Sequence, residues 1–241
     1  MSKLFLVGDI GGTNTNLALA RQDESGIELV EKVQFSTKNE KSLLDPIKRF
    51  LGSRRVRESY DRIDFCCISG AGPVQPDNSI QLTNAPWGIK ASELSDFLRV
   101  PVRLINDFTA LSYAVTTLDY KDRSAVTQLP HPDGSIYEPR EGIMLVIGAG
   151  TGLGVGFVDR RGDSVMAFPS EGGHSELPCF DDLSDSFGTW LRKRYDYAPG
   201  AELAISGQGI ANIFEFICSE DFNVILVGDD YEIPQKALIE G

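Results

Sequence analysis

No apolar run in this 241-residue chain approaches the roughly 18 residues of a membrane-spanning helix. The opening Leu4-Phe5-Leu6-Val7 stretch is broken by Gly8-Asp9 before it can act as the apolar core of a signal peptide. Positive charge is scarce: 23 Lys and Arg face 35 Asp and Glu, a net charge of −12. Phosphate backbones and anionic lipid repel such a chain at long range, so neither nucleic acid nor a membrane is expected as a partner. Four cysteines (Cys66, Cys67, Cys179, Cys218) make no CxxC pair and no zinc-like spacing. They read as buried, reduced thiols of a cytoplasmic protein. Low-complexity tracts are missing. A hydrophobic content of 41% with 24% charged residues excludes a largely disordered chain. The length suits one large domain or two small ones.

What is present is an order of apolar runs that occurs twice. Residues 4–10, 16–21 and 27–35 read as three strands, with Gly11-Gly12-Thr13-Asn14 in the first turn and Glu24-Ser25-Gly26 in the second. A helix is expected over 42–51, tolerating Pro46 only if it begins close to that residue. The run RIDFCCIS (62–69) does not alternate and predicts a strand buried on both faces. A short helix over 91–99, a buried strand over 102–105 and a helix over 109–118 follow. Residues 119–141, with Pro130, Pro132 and Pro139, read as a long polar connection. Strands at 143–147, 155–159 and 164–168 then repeat the opening, with a glycine-rich turn at 148–154. Helices are expected at 185–195 and 209–217.

Four loops have the composition for chemistry. Asp9-Ile10-Gly11-Gly12-Thr13-Asn14 ends a strand. Its glycines can turn backbone N–H groups towards one point, Thr13 and Asn14 add side-chain donors, and converging donors suit phosphate oxygens. Asp9 can orient the water shell of a magnesium ion. By itself the motif also fits a plain glycine hairpin. The second loop, Gly148-Ala149-Gly150-Thr151-Gly152-Leu153-Gly154, is neither a P-loop, since it has no lysine, nor a Rossmann fingerprint, since a strand follows it. Two such strand–turn–strand loops point to two phosphate-clasping hairpins. Asn106-Asp107 ends a buried strand, where open sheets place ligands; an ionised Asp107 could accept a hydroxyl proton, or the pair could simply cap the next helix. In Glu171-Gly172-Gly173-His174 a carboxylate and an imidazole could grip a polyhydroxylated ligand, although His174 alone fits a zinc or structural role equally. Glu202 alone has no reading.

Together these motifs resemble the bacterial-type glucokinases of the hexokinase/actin-like superfamily. The resemblance rests on LVGDIGGTNTNLAL (6–19), ISGAGPV (68–74), LTNAPW (82–87), LINDFTALSYA (104–114), GAGTGLGVGF (148–157), PSEGGH (169–174) and ELAISGQGI (202–210). It implies an α/β, two-domain actin-like (ribonuclease H-like) ATPase fold, each domain a mixed sheet flanked by helices, with a small domain over 1–108 and a larger one over 109–241. It further implies ATP- and Mg²⁺-dependent phosphorylation of the 6-hydroxyl of D-glucose, and a possible homodimer. Carried over by motif, Asp107 is the general base. Asn84, Asn106, Glu171, His174 and Glu202 line the sugar site. Asp9, Gly11, Gly12, Thr13 and Asn14 meet the β/γ-phosphates, with Asp9 reaching Mg²⁺ through water. Gly150, Thr151 and Gly152 form the second phosphate loop. The ROK sugar kinases follow a similar Glu-x-Gly-His with a cysteine-rich zinc loop; only Cys179 follows His174 closely here, so His174 is read as a sugar contact.

The family continues past the point matching Gly241, with further strands, an adenosine-binding glycine motif and a final helix. Residues 233–240 read as the start of the next helix, and the second domain is expected to be incomplete over these 241 residues. A catalytically impaired, sugar-binding regulatory relative is the competing expectation. An actin-like scaffold shares the two phosphate loops, but has no use for the Asn-Asp, Glu-Gly-Gly-His and Glu202 set.

Overall fold

A computed structural model of the chain describes residues 2–57, 62–82, 85–136, 138 and 140–219. The chain forms two compact units, Met1–Leu111 and Ser112–Gly241.

The first unit opens with an antiparallel meander of β1 (Lys3–Ile10), β2 (Asn14–Asp23) and β3 (Gly26–Ser36). Two helices follow, α1 (Leu44–Gly52) and the single turn α2 (Arg54–Arg57). β4 (Phe65–Gly70) then pairs in parallel with β1. A small hairpin of β5 (Ser79–Gln81) and β6 (Gly88–Lys90) leads into α3 (Ala91–Leu98). β7 (Val102–Asn106) joins β4 in parallel and runs directly into α4 (Asp107–Val115). The sheet order is β3-β2-β1-β4-β7.

Alternation along the strands explains this packing. Leu4, Leu6 and Ile10, Leu17 and Leu19, Cys66 and Ile68, and Leu104 share one buried cluster with Ile47 and Phe50 of α1, Leu94 of α3, and Ile80 and Ile89 of the hairpin. Each such side chain contributes about 1.5–3 kcal/mol when fully buried. Pro46 falls in the first turn of α1, where its missing N–H costs nothing. The expected burial of β4 on both faces is not met: Cys66 and Ile68 are fully buried, but Phe65 and Cys67 on the other face are only half-buried. β7 likewise buries only Leu104.

The second unit repeats the opening meander as β8 (Gly142–Ala149), β9 (Leu153–Arg161) and β10 (Ser164–Ser170). α5 (Asp182–Tyr195) and α6 (Gly207–Ser219) follow. The two helices meet through Phe187, Leu191 and Phe216, with the Phe187 and Phe216 rings 5.2 Å apart. Among the described residues of 116–141 there is neither helix nor strand, as the prolines suggest. The internal repeat is therefore real: each unit opens strand, glycine turn, strand, strand, and then a helix. On one face of the second meander Ile143, Leu145, Ile147, Phe157, Met166 and Phe168 are exposed.

The cysteine expectation needs correcting. All four thiols are free, but Cys66 alone is buried; Cys67 is half-buried, and Cys179 and Cys218 are exposed. Cys179 lies in the Leu177-Pro178-Cys179-Phe180 segment before α5, and Cys218 in the last turn of α6. No described helix is long and apolar enough to cross a membrane. The helix expected at residues 233–240 lies outside the described residues, as does Asn84.

Candidate functional site

In the first unit the parallel strands β1, β4 and β7 bring Asp9, Ser69 and Asn106-Asp107 to their C-terminal ends, where open sheets place ligands. Asp9 is exposed and held from two sides. The Ser69 hydroxyl donates to its Oδ1 at 3.1 Å, and Asn16 Nδ2 reaches Oδ2 at 3.5 Å. The β1–β2 turn beside it closes with the Gly11 N–H donating to the Asn14 carbonyl at 2.9 Å. Thr37, just beyond β3, pins this turn. Its N–H donates to the Thr13 carbonyl at 2.9 Å and its hydroxyl to the Gly11 carbonyl at 2.8 Å. Thr15 and Thr37 share a fully buried hydroxyl–hydroxyl bond of 2.9 Å. The side chains of Thr13 and Asn14 stay exposed above this base. Gly11, Gly12, Gly150 and Gly152 are not at positive φ, so left-handed backbone is not the reason for glycine in either loop. At Gly150 a Cβ would meet nothing within 4 Å, whereas at Gly152 it would run into the Glu202 carboxylate.

Asn106 uses its whole side chain. Its Oδ1 accepts the Thr109 N–H at 3.0 Å, which caps α4. Its Nδ2 donates to the Gly72 carbonyl at 3.2 Å and to Asp107 Oδ1 at 2.9 Å. Gly72 is specified by geometry: at φ 156°, a Cβ would lie 2.6 Å from the Gln81 carbonyl oxygen. Asp107 Oδ1 also accepts the Phe108 N–H at 2.7 Å. The helix cap and the candidate base are thus one device, in which Asn106 caps and Asp107 is aimed. Loss of solvent pushes the Asp107 carboxyl above the usual carboxylate range, and the charge of Asp9 adds to this, while the Phe108 N–H and Asn106 pull the other way.

The second unit gathers three of the sugar-site residues beside the second glycine turn. His174 Nδ1 lies 3.3 Å from Glu171 Oε2, and its Nε2 4.0 Å from Glu202 Oε1. Glu202 Oε2 accepts the Leu153 N–H at 2.8 Å, immediately after the Gly150-Thr151-Gly152 turn. A Cβ on Gly152 would stand 2.6 Å from that carboxylate oxygen, and one on Gly173 only 1.9 Å from the Leu153 carbonyl oxygen. The Gly207 N–H, at the start of α6, donates to the Gly150 carbonyl at 2.8 Å. Glu202, which had no reading alone, is therefore the residue that ties the Glu171–His174 pair to the glycine turn.

Ser69, Asn16 and Thr37 were not among the expected site residues. Ser69 lies inside the ISGAGPV motif and Asn16 inside LVGDIGGTNTNLAL, but their partners are set by strand register. Thr37 lies outside every motif.

A duplicated α/β scaffold with a glycine turn in each copy, an aspartate at a parallel strand end and a Glu–His–Glu cluster defines the actin-like sugar-kinase class. Within it, the chain belongs to the glucokinase family, whose model, described as "Glucokinase", matches residues 6–240. It is 32% identical over 217 residues to the glucokinase of Nostoc sp. (strain PCC 7120), covering 89% of this chain and 60% of that protein. The crystal structure of glucokinase from an Antarctic psychrotroph matches with a TM-score of 0.73 at 27% identity, covering 90% of this chain and 65% of that one. That of Balamuthia mandrillaris glucokinase in complex with glucose matches with a TM-score of 0.67 at 25% identity, covering 91% and 63%. The chain thus spans about 60% of the length of the first of these relatives.

Proposed function

We propose that the protein transfers the γ-phosphoryl group of ATP to the 6-hydroxyl of D-glucose, with Asp107 as general base. The observation behind this reading is the setting of Asp107. It is a carboxylate at a parallel strand end, oriented by Asn106 and the Phe108 N–H, with its proton affinity raised by lost solvent and by Asp9. A base so tuned takes the hydroxyl proton as the oxygen attacks phosphorus. The new O–P bond forms as the bond to ADP breaks, and the proton stays on Asp107. Phosphoryl transfer needs little covalent help beyond positioning and charge neutralisation.

By the family resemblance, Glu171, His174, Glu202 and Asn84 take the remaining sugar hydroxyls; the clustering of the first three favours this, and the glucose complex of a similar glucokinase favours glucose as the ligand. An epimer that leaves one of these groups unpaired would lose about 1–3 kcal/mol. Asn106 contributes by holding Asp107, its own amide being fully engaged. Gly11, Gly12, Thr13 and Asn14 cradle the β/γ-phosphates from the first turn, and Gly150, Thr151 and Gly152 from the second. The exposed, doubly braced Asp9 beside the Asp107 carboxylate fits a hard divalent cation held through water. Bound there, Mg²⁺ would offset phosphate charge. Free thiols suit a reducing, cytoplasmic setting.

The test is formation of glucose 6-phosphate from glucose and MgATP, followed by a coupled dehydrogenase. Turnover with glucose supports the reading. Glucose-dependent stabilisation with no turnover would instead mark a sugar-binding relative.

A further inference from the structure

A hollow in the first unit lies at the pole of the sheet away from Asp9 and Asp107. It has a volume of about 740 Å³ and is lined by the ends of α1, α2 and α3 and by the residues leading into β4 and β7. That is within the usual range for small-molecule sites, about 300–1,000 Å³. Its charge is opposite to that of the chain. Among the described residues, Lys48, Arg57, Arg62 and Arg99 line it against one carboxylate, Asp64, in a protein of net charge −12. Asp64 is already committed: its Oδ2 accepts the Leu4 N–H at 2.9 Å, and its Oδ1 accepts Arg62 Nε at 3.1 Å. Among the described residues, Lys48, Arg57 and Arg99 are in no ion pair. Lys48 Nζ instead rests over the Phe97 ring, 5.5 Å from its centroid.

Arg99 gives a second, independent indication. It ends α3 at φ 59° and ψ 32°, the left-handed conformation in which a helix normally ends on glycine. The other non-glycine residues at positive φ among the described ones are Asn78 and Asp196, both of types that tolerate it. A long cationic side chain thus sits, in a conformation costly for any residue but glycine, beside a hollow lined by three other cations.

We propose that this hollow is a second binding site, separate from the phosphoryl-transfer site, for a small phosphorylated metabolite. Guanidinium forks from Arg57 and Arg99 and the Lys48 ammonium would meet its phosphate oxygens. Leu51, Ile63 and Phe97 supply an apolar floor for its body. Phosphate is favoured over a single carboxylate because, among the described residues, three cations that are in no ion pair line one hollow.

The competing explanation is that these cations only complement helix C-termini. Calorimetry and thermal shift with inorganic pyrophosphate, at constant ionic strength and without Mg²⁺, separate the two on the 241-residue chain. Wild type should bind pyrophosphate and gain Tm. Arg57→Gln and Arg99→Gly should bind about tenfold more weakly, with phosphoryl transfer unchanged. Arg99→Gly should itself raise the ligand-free Tm, because glycine relieves the left-handed strain, so weaker binding there cannot be ascribed to misfolding. A Thr13→Ala/Thr151→Ala double variant, altered in both glycine turns, should bind pyrophosphate as wild type does. Equal affinity in wild type and both cavity variants would overturn the proposal. So would loss of binding in the double variant alone, or no response of wild type beyond that to sodium chloride.

Discussion

In the proposed reaction the carboxylate at position 107 has to stay ionised in the resting protein, yet take a proton as the sugar hydroxyl attacks. Its surroundings raise its proton affinity, and that direction fixes how stability depends on pH. A carboxyl whose folded pKa lies above its ordinary 3.8 is a liability to the fold once it is ionised. Asp107→Asn keeps the shape and the acceptor for the Phe108 N–H but removes the charge. Its Tm should match wild type near and below pH 3.8. It should then exceed wild type by a margin that opens as pH rises through the folded pKa and stays open above it. Thermal denaturation across pH 3–8 reads this directly, and a margin that closes with rising pH would contradict it. Ser69 acts on the neighbouring acid. Ser69→Ala removes the hydroxyl on Asp9 Oδ1 and should raise the KM for MgATP about tenfold, a loss of roughly 1.4 kcal/mol, with the KM for glucose unchanged. Ser69→Thr should restore most of it.

At the scale of elements, each glycine turn is held from behind by a side chain distant in sequence. Thr37 holds the first. Thr37→Val leaves the buried Thr15 hydroxyl without that partner and should lower stability by about 1–3 kcal/mol in urea unfolding. Glu202 holds the second. Glu202→Gln keeps an acceptor for the Leu153 N–H, and should weaken glucose alone. Glu202→Ala frees the turn as well, and should raise the KM of both glucose and MgATP by about tenfold. Steady-state kinetics on the pair separates sugar contact from loop support.

These supports show why part of the site could not be read from the chain. Asp9, Asp107 and both glycine turns stand at the ends of clear apolar runs, so a one-dimensional pattern reveals them. Ser69 and Thr37 act across separations of 60 and 26 residues, which only strand register brings together. The helix starts slipped for a related reason. α4 begins at Asp107, not Thr109, because Asn106 supplies the cap. α5 begins at Asp182, not 185, because Asp181 Oδ1 accepts the Ser184 N–H at 2.7 Å in a capping box. The Asn106 cap is one of the two readings the sequence offers for Asn106-Asp107, and the helix bears it out; Asp181 stands in the sequence as an ordinary polar residue. The exposed Cys179 and Cys218 were misplaced because residue type was read without its neighbours.

On the scale of the whole molecule, the duplicated strand order is what made the fold legible, since two copies of one pattern constrain each other. The net charge of −12 sets a further condition. An acidic protein can hold a nucleotide triphosphate for transfer only if local donors and a cation offset the repulsion. Turnover should therefore vanish with EDTA and return with added Mg²⁺, and activity that survives complete chelation would contradict the role given to Asp9.

The central claim is that Asp107 takes the proton of the sugar hydroxyl, and the most direct measurement compares glucose phosphorylation by wild type and Asp107→Asn, with glucose protection followed in parallel. In Asp107→Asn, kcat should fall by about 10²–10⁴-fold while glucose still raises the Tm of the variant. Wild-type turnover in Asp107→Asn would contradict it.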